Sequence, residues 1–98
     1  MIINEFWFDF FNGDWKVYLL KVERETSKTY YCEVLRPDGT PNGSKAAIKK
    51  EDIDNVRKVR FSYYEYYRIH TFDSSITNAN AKMYDFIIKE AERLYKEN

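Results

Sequence analysis

His70 is the sole histidine and Cys32 the sole cysteine of this 98-residue chain, so imidazole or thiolate chemistry has to pass through those two positions. A Cys32–His70 dyad would need the thiol in an electropositive, partly exposed setting. Cys32 sits instead in Thr29–Arg36, a run of β formers where small thiols are commonly buried. A metal site built on His70 and Asp73 has no further ligands at a recognisable spacing, and one cysteine supports neither a disulfide nor a four-ligand zinc pattern. Glu51, Asp52 and Asp54 hold part of a calcium-loop pattern but lack its glycine and its twelfth-position glutamate, so a solvated turn is the plainer reading. Gly39–Lys45 fails as a phosphate loop on spacing, on the order of Ser44 and Lys45, and on the internal Pro41. Nothing points to paired-carboxylate glycosidase chemistry. The expectation is a protein that is not an enzyme and uses no metal or cofactor.

The residues with an unusual pattern are aromatic and cationic. Between Arg57 and His70, read as a strand, one face carries Arg60, Ser62, Tyr64, Tyr66, Arg68 and His70, while Val59, Phe61, Tyr63, Tyr67 and Ile69 line the other. Rings that stack on bases beside cations that meet phosphates are the parts of a single-stranded nucleic-acid site. From Lys45 to Arg68 seven cations face four acids, a local charge of +3. Against that reading, the whole chain is neutral, with sixteen basic and sixteen acidic residues, and no RNA-binding signature is present. Tyr and Arg are equally the residues of protein-interface hot spots. A plainer alternative packs these tyrosines on a helix with their hydroxyls wet.

A strand and a helix both fit Val56–Phe72, since Ile53, Val56, Tyr63, Tyr67 and His70 also recur at helical spacing. The density of β-branched and aromatic residues favours the strand. The N-terminus reads as a hairpin turning at Asn12-Gly13, because both central positions of a type I′ turn need positive φ. Pairs then sum to 25. Phe11 meets Asp14, and Phe10, Phe8 and Phe6 face Trp15, Val17 and Leu19 on one side. On the other side Asp9 meets Lys16 and Trp7 meets Tyr18, each such pair contributing about 0.2–1 kcal/mol. A helix over residues 2–11, striped by Ile3, Phe6, Trp7 and Phe10, is the rival. If the C-terminal helix covers the phenylalanines, then Trp7, Tyr18 and Leu20 form a bare patch that needs a partner. If the sheet instead curls into a barrel, both faces are buried.

A second hairpin breaks at Glu25–Lys28. A three-residue loop pairs Lys21 with Glu33, and a two-residue loop pairs Leu19 with Val34. Pro37–Ser44 is a loop, Ala46–Lys50 a short strand and Glu51–Asp54 a helical turn. Asp73, Ser74, Ser75 and Thr77 offer caps for a C-terminal helix. Its stripe is Ala79, Met83, Phe86, Ile87, Glu90 and Leu94, widened by Tyr84, Ile88, Ala91 and Tyr95.

Hydrophobic residues make up 44% and aromatics 18%, enough for one domain spanning 1–98 and too many for disorder. Without a basic leader, a long apolar run or paired cysteines, the expected compartment is the cytoplasm, with no membrane partner, and Asn42-Gly43-Ser44 reads as a turn rather than a glycosylation site. The expected fold is α+β: an antiparallel meander of four or five strands with a C-terminal helix on one face. The strand run, Pro/Gly loop and short turn also resemble a small SH3-like barrel, which would add the helix to a closed sheet. The expected function is a non-enzymatic protein-binding module using Trp7, Tyr18, Arg60, Tyr64, Tyr66, Arg68 and His70. A compact inhibitor or adaptor of viral or mobile-element type, docking on a larger host protein, is its concrete form. The Asn, Lys, Ile and Tyr content suits such an AT-rich source. A second copy of the chain is a further candidate partner. Single-stranded nucleic-acid binding through 57–70 is the alternative.

Overall fold

A computed structural model describes residues 1–9, 12–61 and 64–97. Six strands form one antiparallel sheet: β1 (Ile2–Asp9), β2 (Asp14–Glu25), β3 (Thr29–Leu35), β4 (Pro41–Lys49), β5 (Arg57–Phe61) and β6 (Tyr64–Thr71). A 3₁₀ turn covers Lys50–Asp52, and α1 runs from Ile76 to Glu97. The strand order is β4-β3-β2-β1-β6-β5, so the last hairpin adds to the free edge of β1 rather than continuing the meander. The α+β class and the C-terminal helix are as expected. Six strands replace four or five because Val56–Phe72 folds back on itself as β5 and β6.

The first hairpin has the expected strands in a different register. Phe8 stands opposite Trp15, Phe6 opposite Val17, Trp7 opposite Lys16 and Asp9 opposite Asp14, so pairs sum to 23. Phe10 and Phe11 lie outside the described residues. The reason is local. Gly13 takes positive φ, at 69°, in a connection that runs between Asp9 and Asp14 and is therefore longer than the expected two-residue tip. Asn12 instead donates from Nδ2 to the Asp9 carboxylate at 2.7 Å, and Gly13 N–H donates to the Asp9 carbonyl at 2.8 Å. Because side chains alternate with period 2, a two-residue shift leaves every side chain on its original face. In the second hairpin Lys21 does pair with Glu33, and a bulge between Val22 and Arg24 absorbs the change of register toward the turn.

One face of the sheet carries Phe6, Phe8 and Ile69, buried under Ala79 and Met83 of α1 with Trp15, Val56, Tyr67 and Ile87 around them. Each such large side chain contributes about 1.5–3 kcal/mol on burial. Ser75 caps the helix, accepting the Asn78 N–H at 3.2 Å. Lys82 to Asp54 at 3.1 Å and Lys58 to Glu90 at 2.9 Å tie its flank to the chain below. Twenty-two residues make a helix of about 33 Å, against about 27 Å for an eight-residue strand, so α1 outruns the sheet. Leu94 and Tyr95, expected to pack, are exposed in that last stretch, while Tyr84 and Ile88 turn largely outward beside Met83 and Ile87, Tyr84 keeping a ring contact with Phe8.

The opposite face holds a second buried cluster, Ile3, Leu20, Cys32 and Ile48, although no helix lies on it. Leu20, expected on a bare patch, is 1% exposed. Curvature accounts for this. In a flat sheet β4 and β5 would stand five strand spacings, about 24 Å, apart. The seven residues Lys50–Val56 reach about that far only when fully extended, yet part of the segment is wound into a 3₁₀ turn. The sheet must coil to let them connect. Ile53 accordingly bridges to His70 of β6 and packs on the second cluster, Asp54 N–H donates to the His70 carbonyl at 2.8 Å, and the Tyr30 and Phe72 rings meet edge-on at 5.5 Å. Asp54 makes this turn in the left-handed region, at φ 65°, a conformation that aspartate tolerates better than most side chains. No strand ladder joins β4 to β5 among the described residues, so the sheet stays open and the SH3-like alternative does not form.

Candidate functional site

Toward the other end of that face, where the coil no longer closes, the aromatic residues lie together. Trp7 of β1 has Lys16 of β2 on one side and Arg68 of β6 on the other, and alternation places Tyr18, Tyr64, Tyr66 and His70 on the same face. The Trp7 and Tyr66 rings meet edge-on at 5.6 Å, and Tyr66 and Tyr64 follow at 6.3 Å. The Arg68 guanidinium carbon stands 5.3 Å from the Trp7 ring centroid. This is within cation–π range. Trp7, Asp9, Asn12, Asp14, Lys16, Tyr64 and Tyr66 line a hollow of about 260 Å³. A second hollow of about 220 Å³ links Trp7 and Tyr66 to Lys16 and Tyr18. Tyr64 is 58% and Tyr18 41% exposed, so rings are on offer at both ends of the patch.

A buried polar pair supports the rings from behind. His70 Nε2 lies 3.1 Å from Glu5 Oε2, and Trp7 Nε1 donates to the other Glu5 oxygen. Burial pushes the Glu5 carboxyl up, but the hydrogen bonds from His70 and Trp7, helped by the charges of His70 and Arg68, outweigh it. The net result is a carboxyl below its ordinary value. Arg68 Nε is buried with no hydrogen-bond partner, held in place by packing and by the charges around it.

Of the expected site residues, the fold gathers Trp7, Tyr18, Tyr64, Tyr66, Arg68 and His70 on one face. Arg60 is a correction. It pairs with Glu65 at the end of the β5–β6 hairpin, on the helix side of the sheet, and donates from Nε to that carboxylate at 2.8 Å. A continuous strand would have kept Arg60 in phase with Tyr64, but the chain reverses between β5 and β6. Ser62 and Tyr63 lie outside the described residues. His70 is on the same face but only 7% exposed, with its Nε2 turned to Glu5. Asp9 and Lys16, expected as a cross-strand pair on the Trp7 side, do join the patch together with Asp14, but Lys16 stands opposite Trp7 and Asp9 opposite Asp14.

The nucleophile and cation candidates end elsewhere. Cys32 is buried in the second cluster, and burial with the nearby Glu23 charge pushes its thiol up, away from the reactive thiolate. His70 turns to Glu5 instead. No group of three or more His, Cys, Asp or Glu side chains is placed to hold a metal among the described residues. Arg57 pairs with Asp52, and Lys58 with Glu90 and Glu65. A wider hollow of about 490 Å³ lies between the β2–β3 turn and the 3₁₀ turn, lined by Lys28, Lys49 and Lys50, and holds none of the aromatic residues. No helix among the described residues is long and apolar enough to cross a membrane. Comparison with protein families, with curated proteins and with solved structures finds no match for this chain.

Proposed function

We propose that the chain is a non-enzymatic protein-binding module, an inhibitor or adaptor in kind, that docks on a larger protein through the open end of its uncovered sheet face. What carries the reading is the gathering of Trp7, Tyr18, Tyr64, Tyr66 and Arg68 around hollows that neither the helix nor the sheet's coil covers. Rigid rings beside an arginine are the usual anchors of a protein interface. The principal hollow, at about 260 Å³, falls below the 300 Å³ or more of a typical small-molecule pocket and suits one inserted side chain.

The nucleic-acid alternative has less support. Asp9 and Asp14 border the rings where phosphates would have to pass, and Arg57, Lys58 and Arg60 each hold an acid already. The test uses Tyr18→Ala with Tyr64→Ala against Tyr31→Ala, an exposed tyrosine on the helix side of the sheet. All three should fold by circular dichroism, and only the first pair should lose crosslinked partner from the native host. Equal loss in the Tyr31→Ala control would overturn the reading. So would binding of labelled single strands that weakens steeply with salt, which would favour the nucleic-acid function.

A further inference from the structure

Helix α1 carries a second apolar stripe that the fold covers only at its start, where the Tyr84 ring meets Phe8 at 6.0 Å. Tyr84, Ile88, Ala91 and Tyr95 follow at spacings of four, three and four residues, the repeat that keeps one seam turned toward a partner helix. Tyr84, Ile88 and Tyr95 are 45%, 56% and 84% exposed, Ala91 is exposed as well, and Leu94 borders them at 48%. Past Glu90 every helical residue whose burial is described is exposed. A helical stretch this exposed is marginal in water on its own.

We propose that α1 pairs antiparallel with α1 of a second copy, making the chain a homodimer. The order of residues argues for that occupant. Reversed against itself, the stripe sets Tyr84 opposite Tyr95 and Ile88 opposite Ala91, bulky against small at the centre. Beside it Asp85, Lys89, Glu92 and Lys96 alternate in sign at the same spacing. Reversal sets Asp85 opposite Lys96 and Lys89 opposite Glu92, whereas a parallel in-register pair sets each charge against its own copy. The apolar and the charged pairings both centre within a residue of Glu90, so one two-fold axis satisfies them together. Lys89 and Asp85 already form an ion pair at 2.9 Å along the helix, which holds the row in place. Two tyrosines, an isoleucine and a leucine from each copy bury about 1,000 Å² in total, where a specific interface begins. The stripe belongs to the helix side of the sheet, so the dimer leaves the Trp7 face free.

Sedimentation equilibrium of the full chain at about 10 and 500 µM tests this. The mass should rise from monomer toward dimer, and Ile88→Asp should weaken association by at least about tenfold while circular dichroism stays unchanged. Charge exchange checks the orientation. Asp85→Lys alone should weaken association, and Asp85→Lys/Lys96→Asp should restore it, because the exchange rebuilds the 85–96 pairs only between reversed helices. A wild-type chain still monomeric at the higher concentration overturns the proposal, as does association untouched by Ile88→Asp. Failure of Asp85→Lys/Lys96→Asp to restore association overturns the antiparallel pairing.

Discussion

The two buried clusters sit on opposite faces of one sheet and are enclosed in different ways. Phe6, Phe8 and Ile69 are covered by a helix, whose apolar stripe is a separate element delivered by the chain after the sheet. Ile3, Leu20, Cys32 and Ile48 are covered by the sheet's own coiling and by Ile53 at the turn that the coiling makes reachable. A helix covers as far as it runs. Coiling encloses only the end where strands converge, which is why the face that buries Leu20 exposes Tyr18 two residues away. The interaction face is the part of that surface which curvature fails to close.

Five measurements sharpen or break this contrast. The largest effect belongs to Phe6→Ala beneath the helix, 1% exposed, at about 4 kcal/mol in urea unfolding. Leu20→Ala, 1% exposed on the other face, should follow at about 3 kcal/mol. A cost for Leu20→Ala below about 1 kcal/mol would mean that coiling encloses its cluster only loosely. Glu5→Gln, at the border between the closed and open ends, should cost about 1–2 kcal/mol at neutral pH by weakening the contacts with His70 and Trp7.

Glu5 also makes a pH prediction. Its carboxyl titrates below the ordinary value of 4.5 in the fold, so on acidification the unfolded chain takes up the proton first. Its stabilisation is complete above that value and is lost as pH falls through the lower folded one. Unfolding midpoints measured from pH 6 down to about 2.5 should fall less steeply in Glu5→Gln than in wild type; parallel curves would remove Glu5 from the acid response. The smallest effect belongs to Tyr64→Ala, within about 0.5 kcal/mol of wild type, as befits a ring 58% exposed. A larger cost would make that ring part of the scaffold rather than the docking surface.

Much of the scaffold was legible in local patterns. Alternation placed Phe6 and Phe8 opposite Trp7 and Tyr18 in facing direction, and that assignment survived a register error because the error was an even number of residues. The helix followed from periodicity, and capping chemistry narrowed its start to Asp73, Ser74, Ser75 and Thr77, of which the structure uses Ser75. The break in Val56–Phe72 was not legible, since no Gly, Pro or Asn marks a turn between Arg60 and Tyr64, and Arg60 was placed on the wrong face as a result. Alternation also put Asp9 and Lys16 on the Trp7 face, whereas the pairing of Asp9 with Asp14 and of Trp7 with Lys16 followed only from the observed register.

The order of residues by itself pointed to the α+β class, the sheet faces of Phe6, Trp7, Phe8, Trp15 and Tyr18, and the Ala79, Met83 and Ile87 stripe that docks α1, because side-chain direction repeats with the local backbone period. Only the tertiary structure decided that β6 joins β1, that the sheet coils over Leu20 and stops short of Trp7, and that α1 overruns its support. Those outcomes depend on distances between segments far apart in the chain, and no local period records them.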